Sequence, residues 1–424
     1  MEAEMRRRKI VALVALMAIM SVVLWAGGNK ETGAVDKNQK KKTNLVFVHM
    51  FTPGPMTNFI NQVIQEYEKT YPNITVESRF IPFDSLNKQL SIYIASNQIP
   101  DLVFTNNPDF GAFVKMGLYA DISDRIKAWD ESKQFYKIPL EAGIIDGKVY
   151  GLTFDTNCLA LFYNKDMLTA KGVVPPTTMD ELAAAAVKLT DKSKSVYGLA
   201  LSAINGLEGT FQFIPFLVSF GGSWDKVNSD AGKKALQFIV DLVNKGSISK
   251  EIVTFGQGSV NDRFVAGQAA MMINGTWQLG NLRNKKTYPS LFNWDVVTIP
   301  KGDAGSFSVM GGKIIGCGKT ENIEASFNFI KMICSKDKML TMAKAVGAVP
   351  NRSDVAADPF WKVDPQMEVF VKQMETTVPR GPHQQWPGVD IAISTALGEA
   401  ISGTKTVEAA LNDAQAKIDL LLKK

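Results

Sequence analysis

From about residue 44 onward, short apolar runs alternate with stretches in which apolar residues recur every three or four positions. Leu45-Val46-Phe47-Val48 reads as a buried strand,. Thr57 is placed to cap a helix carrying Ile60, Val63, Ile64 and Tyr67 on one face,. Ile74, Val76 and Phe80 predict a second strand after the Tyr71-Pro72-Asn73 break, and Asp84 is placed to cap a helix bearing Leu86, Leu90 and Ile94. Pro100 ends that helix section and Leu102-Val103-Phe104 predicts a third strand. Strand–helix–strand–helix–strand at this spacing implies a parallel sheet with right-handed crossovers. Ligands on such sheets sit beyond the carboxyl ends of the strands, here His49–Pro55 and Thr105–Phe110,.

The middle of the chain is more helical. Pro175-Pro176 leads into Thr178-Met179-Asp180-Glu181, which matches a capping box,. Near the end, Val407, Leu411, Ala414, Ile418 and Leu421 form one apolar stripe behind Thr406, a candidate cap. The stripe is narrow and its opposite face carries mixed charge, so it predicts docking on the core and not a membrane face. At the other end, Arg6-Arg7-Arg8-Lys9, the apolar stretch Ile10–Ala26 and the small residues Ala26-Gly27-Gly28 have the order of an export signal,. A retained membrane anchor is the alternative, although the run is slightly short for a spanning helix. No Cys stands near the cleavage zone to carry a lipid. Residues 1–28 are therefore expected to be a signal peptide, and the polar, Lys-rich stretch 29–43 a flexible tether,.

Composition narrows the chemistry. Hydrophobic residues make up 46% and charged residues 21%, which is ordinary globular composition,. The net charge of +5 falls to +3 without residues 1–28, which hold four basic and two acidic side chains. A body so nearly balanced carries no electrostatic footprint for nucleic acid. Three cysteines do not make a disulfide scaffold, and two histidines argue against a His-based metal site,. Cys158, Cys317 and Cys334 sit among apolar neighbours and read as buried hydrophobes,. Gly312–Thr320 resembles a phosphate loop only superficially: five residues separate Gly312 from Gly318 where four are needed,. A strand with glycines at its ends is the simpler reading. No nucleophile elbow, His-Glu-x-x-His or Cys-x-x-Cys pattern occurs.

What remains is a set of loops pairing aromatic rings with planar polar groups, the kit that holds a small polar ligand in an apolar cleft. The candidates are Phe51 and Thr52; Asn106, Asn107 and Asp109; Asp155 and Asn157; Trp224; Trp277; and Arg380 with Trp386. For most of these aromatics core packing competes with ligand contact. Trp277 differs, because it follows a turn sequence instead of lying in a periodic stripe. Asp109 and Asp155 read equally as helix caps or surface charges, and Arg380 as a surface ion pair.

At these residues the chain resembles bacterial extracellular solute-binding proteins of the maltose- and glycerol-3-phosphate-binding type, which feed ABC importers. The landmarks stand in family order: Pro100-Asp101-Leu102-Val103, Gly117-Leu118-Tyr119-Ala120-Asp121-Ile122, Gly147-Lys148-Val149-Tyr150-Gly151-Leu152, and Phe162-Tyr163-Asn164-Lys165-Asp166. Pro175–Leu182 follows, with Met179 where the family has Trp, then Phe264–Met271 and Gly275-Thr276-Trp277. Ala348-Val349-Pro350-Asn351-Arg352 and Ala409–Gln415 complete the set. The resemblance implies an α/β fold of two lobes, each a mainly parallel sheet flanked by helices, with ligand in the cleft between them. It places the crossings near Asp155–Cys158, Ser308–Gly311 and Val346–Asn351. Lobe 1 is then 44–155 with 310–350, and lobe 2 is 156–309 with 351–424.

The resemblance also implies roles. Trp277 falls on a sugar-stacking position, Phe211 on an aromatic lining the second lobe, and Gly311-Gly312 on a backbone contact at the second crossing. Asn106, Asn107 and Asp109 form the loop after the third strand, Asp155–Asn157 the polar position near the hinge, and Arg380 with Trp386 the segment that closes over the ligand. Asn106-Asn107-Pro108 departs from the acid-rich form of its loop in maltose-type members, which argues against an extended maltodextrin. The implied protein is a monomer in the periplasm or on the outer surface of a bacterium, without cofactor or metal. It captures a mono- or oligosaccharide and presents it to a membrane permease. Glycerol-3-phosphate or a related phosphorylated polyol is the alternative ligand. An exported glycan-acting enzyme and a sensor are the alternative classes.

Overall fold

The parallel opening motif forms as its periodicity dictates. β1 (Thr43–His49), α1 (Pro55–Thr70), β2 (Ile74–Phe80), α2 (Phe83–Ala95) and β3 (Leu102–Asn106) follow in order, and β1 pairs in parallel with both β2 and β3. The structure, a computed structural model, describes residues 42–380 and 385–423. The expected signal peptide, and the tether as far as residue 41, lie outside the described residues, and Thr43 already belongs to β1.

Two helices start differently from expectation. α1 begins at Pro55 behind Gly54, because a proline at the first helical position lacks only an N–H that would be orphaned anyway,. Thr57 instead turns its hydroxyl back to the carbonyls of Phe51 and Thr52, at 3.2 and 2.6 Å, and so ties down the loop after β1. Asp84 lies in the first turn of α2 and not at its cap. There its charge complements the positive end of the helix.

α3 (Asn107–Lys115) leads to β4 (Gly151–Asn157), and after the single residue Cys158 comes β5 (Leu159–Asn164). The second lobe follows: α4 (Met179–Leu189), β6 (Tyr197–Ala200), α5 (Leu207–Ser219), α6 (Asp230–Asn244), α7 (Gln257–Val265), β7 (Ala269–Gly275), α8 (Trp277–Leu282) and β8 (Trp294–Val297). The capping box forms at α4, with the Thr178 hydroxyl accepting the Glu181 N–H and Glu181 reaching back to the Thr178 N–H. β9 (Ser308–Cys317), α9 (Ile323–Ile333) and α10 (Lys336–Val346) return to the first lobe, where α9 and α10 pack on α1. α11 (Pro365–Met374), β10 (Thr377–Pro379), α12 (Trp386–Ser402) and α13 (Val407–Leu422) complete the chain. Thr406 caps α13, and Val407, Leu411, Ala414 and Ile418 are buried as the stripe requires. Among the described residues no helix is long and apolar enough to cross a membrane.

The first sheet runs β10-β9-β3-β1-β2, with β4 also paired to β9. The second runs β8-β5-β7-β6. Only β6 and β7 are parallel in the second sheet; β5 is antiparallel to both β7 and β8. That sheet is therefore mixed and not mainly parallel. β5 enters it straight from β4 across one residue, which leaves no room for a crossover helix,.

β9 joins the lobes. Its last residues pair antiparallel with β3 and β4, while its first three pair in parallel with β10. At its start the Leu159 N–H donates to the Ser308 hydroxyl at 3.0 Å, and that hydroxyl donates back to the Leu159 carbonyl at 2.8 Å. The Gly312–Thr320 segment is thus largely strand, as its pattern predicted. All three cysteines are buried and free.

Residues 351–356, expected in the second lobe, pack on the first. Asn351 donates its side-chain amide to the Thr153 carbonyl. Arg352, fully buried, donates to the Cys334 carbonyl at 2.7 Å, to both Asp354 oxygens at 2.9 and 2.7 Å, and to Glu131 at 3.0 Å. A guanidinium can be buried here because its donors meet a carbonyl and two carboxylates. Arg352→Met should destabilise the protein by about 2–3 kcal/mol. The value is held below that of a fully buried pair because Glu131 and Asp354 stay partly hydrated,. Denaturant titration measures it, and a loss under about 0.5 kcal/mol would contradict this account.

Candidate functional site

A cavity of about 370 Å³ opens between the two sheets. The carboxyl end of β1 supplies Phe51 and Thr52, the end of β3 supplies Asn106, and β4 supplies Asp155 and Asn157. The second lobe contributes Phe211 from α5 and Trp277 from the start of α8. Gly311 and Gly312 of β9 and the residue Arg380 complete the group of expected residues that meet here.

Glycines make the close approaches possible. At Gly275 a Cβ would lie about 2.1 Å from the Trp277 ring, so only glycine lets the indole fold back over the end of β7,. At Gly311 it would lie 2.2 Å from Asn157 Oδ1 and 2.9 Å from the Phe211 ring. Gly312 has φ of +149° and stands where a Cβ would press on the Asp155 carbonyl at 2.3 Å. The result is an aromatic wall, with Phe211 and Trp277 stacked at 6.3 Å between centroids and 28° between planes. Trp277 is half-buried, leaving part of its surface for a ligand.

Of the two cations in the lining, Lys313 is paired with an acid and Arg380 lies in the field of two. Asp155 Oδ1 accepts the Lys313 backbone N–H at 2.7 Å, and its Oδ2 lies 3.3 Å from Lys313 Nζ. The Arg380 guanidinium lies 4.4 Å from the centre of the Phe211 ring, and Asp390 and Asp109 act on it electrostatically. Burial lowers the Arg380 pKa against the pull of both carboxylates. Burial also lifts the Asp390 carboxyl to about 7, with Arg380 opposing the shift.

Four expected residues do not line the cavity. Asn107 opens α3 and does not reach the lining. Asp109 is buried one turn behind Asn106, where it accepts the Asn87 amide at 3.1 Å, and burial raises its pKa. Trp386 is fully buried at the start of α12, and Trp224 packs edge-on against it at 5.5 Å. Proximity to glycine and proline suggested a binding loop, but Trp386 continues the inward face of α12 with Val389 and Ile393. Residues 381–384, including His383, lie outside the described residues.

Sequence reasoning missed Phe83, Glu208, Gln257, Asn281 and Lys313, all in the lining. It also missed the support given by His49, at the end of β1. The Phe51 N–H donates to His49 Nδ1 at 3.2 Å, so the ring proton sits on Nε2 and donates to the Ser78 hydroxyl at 2.9 Å,. Among the described residues no cluster of three or more His, Cys, Asp or Glu is arranged to hold a metal ion.

A profile described as bacterial extracellular solute-binding protein matches residues 62–369. The chain belongs to that family. Its relatives include the maltotriose-binding protein of Pyrococcus abyssi, 26% identical over 83% of this chain and 77% of that one. Among solved structures, the GacH receptor of Streptomyces glaucescens, described unliganded and with acarbose, superposes with a TM-score of 0.82 at 24% identity, covering 91% of this chain and all of that one. A solute-binding protein of Thermotoga lettingae bound with α-D-tagatose gives 0.82 at 25% identity, covering 90% and 100%. The two-lobed fold read from the sequence is that of these proteins.

Burial holds the His49 pKa down at about 4, from an ordinary 6.5. The unfolded chain therefore binds a proton that the folded one refuses, so the stability is complete above pH 6.5 and is lost as pH falls toward 4. The loss should reach about 3 kcal/mol by pH 4. His49→Asn keeps an acceptor for the Phe51 N–H and should flatten this part of the pH–stability curve. An unchanged slope in that variant would remove His49 as its source.

Proposed function

We propose that this chain captures a small sugar in the cavity between its lobes and delivers it intact to an ABC-type importer in the cytoplasmic membrane. The observation that carries the reading is the Phe211–Trp277 wall, opposed by Asn106, Asp155 and Asn157 of the other lobe. Stacked rings cover the C–H faces of a pyranose, while amide and carboxylate groups take its hydroxyls. The family supports it, as do the maltotriose named for the Pyrococcus relative and the tagatose and acarbose bound by the structural neighbours. A cavity of about 370 Å³ is near the lower end of ligand pockets and suits a mono- or disaccharide better than a long chain,.

In this mechanism the ligand biases a hinge at the crossings. It shifts the open–closed balance only by contacts that differ between the two states, so it has to touch both lobes. The closed form then offers both lobe surfaces to the permease. The leader-like order of residues 6–28 supports export, in keeping with the extracellular family. Lys313 is already paired with Asp155, so a phosphorylated polyol would have to rely on Arg380, which lies over the Phe211 ring. Recovery of the bound sugar unchanged separates capture from turnover by a glycan-acting enzyme.

Trp277→Ala should weaken sugar binding by about 1–3 kcal/mol, the scale of a lost aromatic anchor. Calorimetric titration of the folded variant measures it. Unchanged affinity would take the sugar off this wall.

A further inference from the structure

Among the described residues, one carboxylate in the cavity lining has no cation to answer it. Glu208 stands half-buried in the first turn of α5, on the second-lobe side. Its Oε2 accepts the Gln257 N–H at 2.8 Å, and a Cβ at Gly256 would come within 2.6 Å of the same oxygen. Burial raises its pKa against that hydrogen bond, and Asp84 raises it further. Asp84 is exposed in the first turn of α2, next to the lining residue Phe83 of the first lobe.

A plain structural role is available, since the carboxylate caps the start of α7. That role uses one oxygen and requires no position on a cavity wall. Gln257 adds a separate observation: it lines the same cavity, and its Nε2 is buried without a hydrogen-bond partner. An acceptor with spare capacity and an unmet donor therefore stand side by side, matching hydroxyls on adjacent ring carbons, each of which both gives and takes a hydrogen bond.

We propose that Glu208 and Gln257 are the specificity-determining corner of the cavity, which takes the hydroxyl or ammonium donors of a neutral or amino sugar and refuses anionic sugars such as uronates and sugar phosphates. The proposal rests on the sugar-capture reading. An anionic group at this corner would add a negative charge beside those of Glu208 and Asp84, while Lys313 is already paired with Asp155. Like charges brought together in a closing cleft cost enough to discriminate by two orders of magnitude.

The test is calorimetric titration of the full chain with glucose, galactose and mannose, each beside its 2-amino and uronate counterparts, and with maltose and mannobiose. For the hexose that binds best, the uronate should bind about 100-fold more weakly and the amino sugar within about 10-fold. Glu208→Gln keeps an oxygen for the Gln257 N–H. It should lower affinity for the neutral sugar about 10-fold and shrink the neutral-to-uronate ratio to below about 10. Asp84→Asn, on an exposed site with no fold to lose, should raise uronate affinity several-fold and leave neutral binding unchanged. A uronate binding as tightly as its neutral partner, or a ratio unmoved in both variants, overturns the assignment while sugar capture stands. Wild-type chain that takes up none of these sugars overturns sugar capture and this corner with it.

Discussion

The antiparallel pairing of β4 with β9 is the constraint on which the rest of the molecule depends. Both strands belong to the first sheet, and both leave it for the second lobe at the same place. β4 becomes β5 across Cys158 alone, and β9 begins at Ser308, bonded in both directions to Leu159. Two hydrogen-bonded strands cannot slide independently, so relative motion of the lobes is confined to the few residues where the pairing ends. Asn157, Gly311 and Gly312 stand at that point and also line the cavity. On the proposed reading, a ligand there would rest directly where the lobes join. The glycines serve both purposes, since a side chain at either position would fill the cavity floor or part the two strands.

Electrostatics fixes the walls. Asp109 comes from the first lobe and Asp390 from the second, and both act on Arg380. Asp109 Oδ1, Asp390 Oδ1 and Arg380 Nε are buried without hydrogen-bond partners. Such a cluster costs stability compared with an apolar core, and its value lies in position. The guanidinium lies over the ring of Phe211, and Phe211 in turn stacks beside Trp277. One face of the aromatic wall is thus met by a buried guanidinium, which itself lines the cavity beside Phe211.

Local signals were readable in the sequence and long-range ones were not. The first three strands, the Thr178 capping box and the α13 stripe each follow from neighbours within a few residues, and each formed. Trp277 was legible because Gly275 precedes it and a turn replaces the periodic pattern. Trp386 was misread although its helical spacing to Val389 and Ile393 was present; nearby proline and glycine hid a helix that starts at the tryptophan itself. Glu208 lies three residues before Phe211 on one helix, so that turn was recognised by its ring and the acid was passed over. Its partner Gln257 is 49 residues away, and no local pattern joins them. The mixed second sheet was illegible for a similar reason, because strand direction there depends on where the crossings fall.

Affinity and closure are separable in this arrangement. The aromatic wall belongs wholly to the second lobe, while Phe51, Asn106 and Asp155 belong to the first. A molecule that only stacks on Trp277 gains burial in the open and the closed form alike, and equal affinity for two states moves neither. Closure needs groups that reach across to the first lobe, whose lining sets the polar Asn106 and Asp155 among the apolar Phe51, Met56 and Phe83. Hydroxyls on the far edge of a ring would pair with Asn106 and Asp155, which a bare apolar ring would leave without partners in the ligand,. A second, hydrogen-bonding edge on a ligand would therefore add contacts that only a closed form completes, and such contacts are the ones able to shift the balance between the two states.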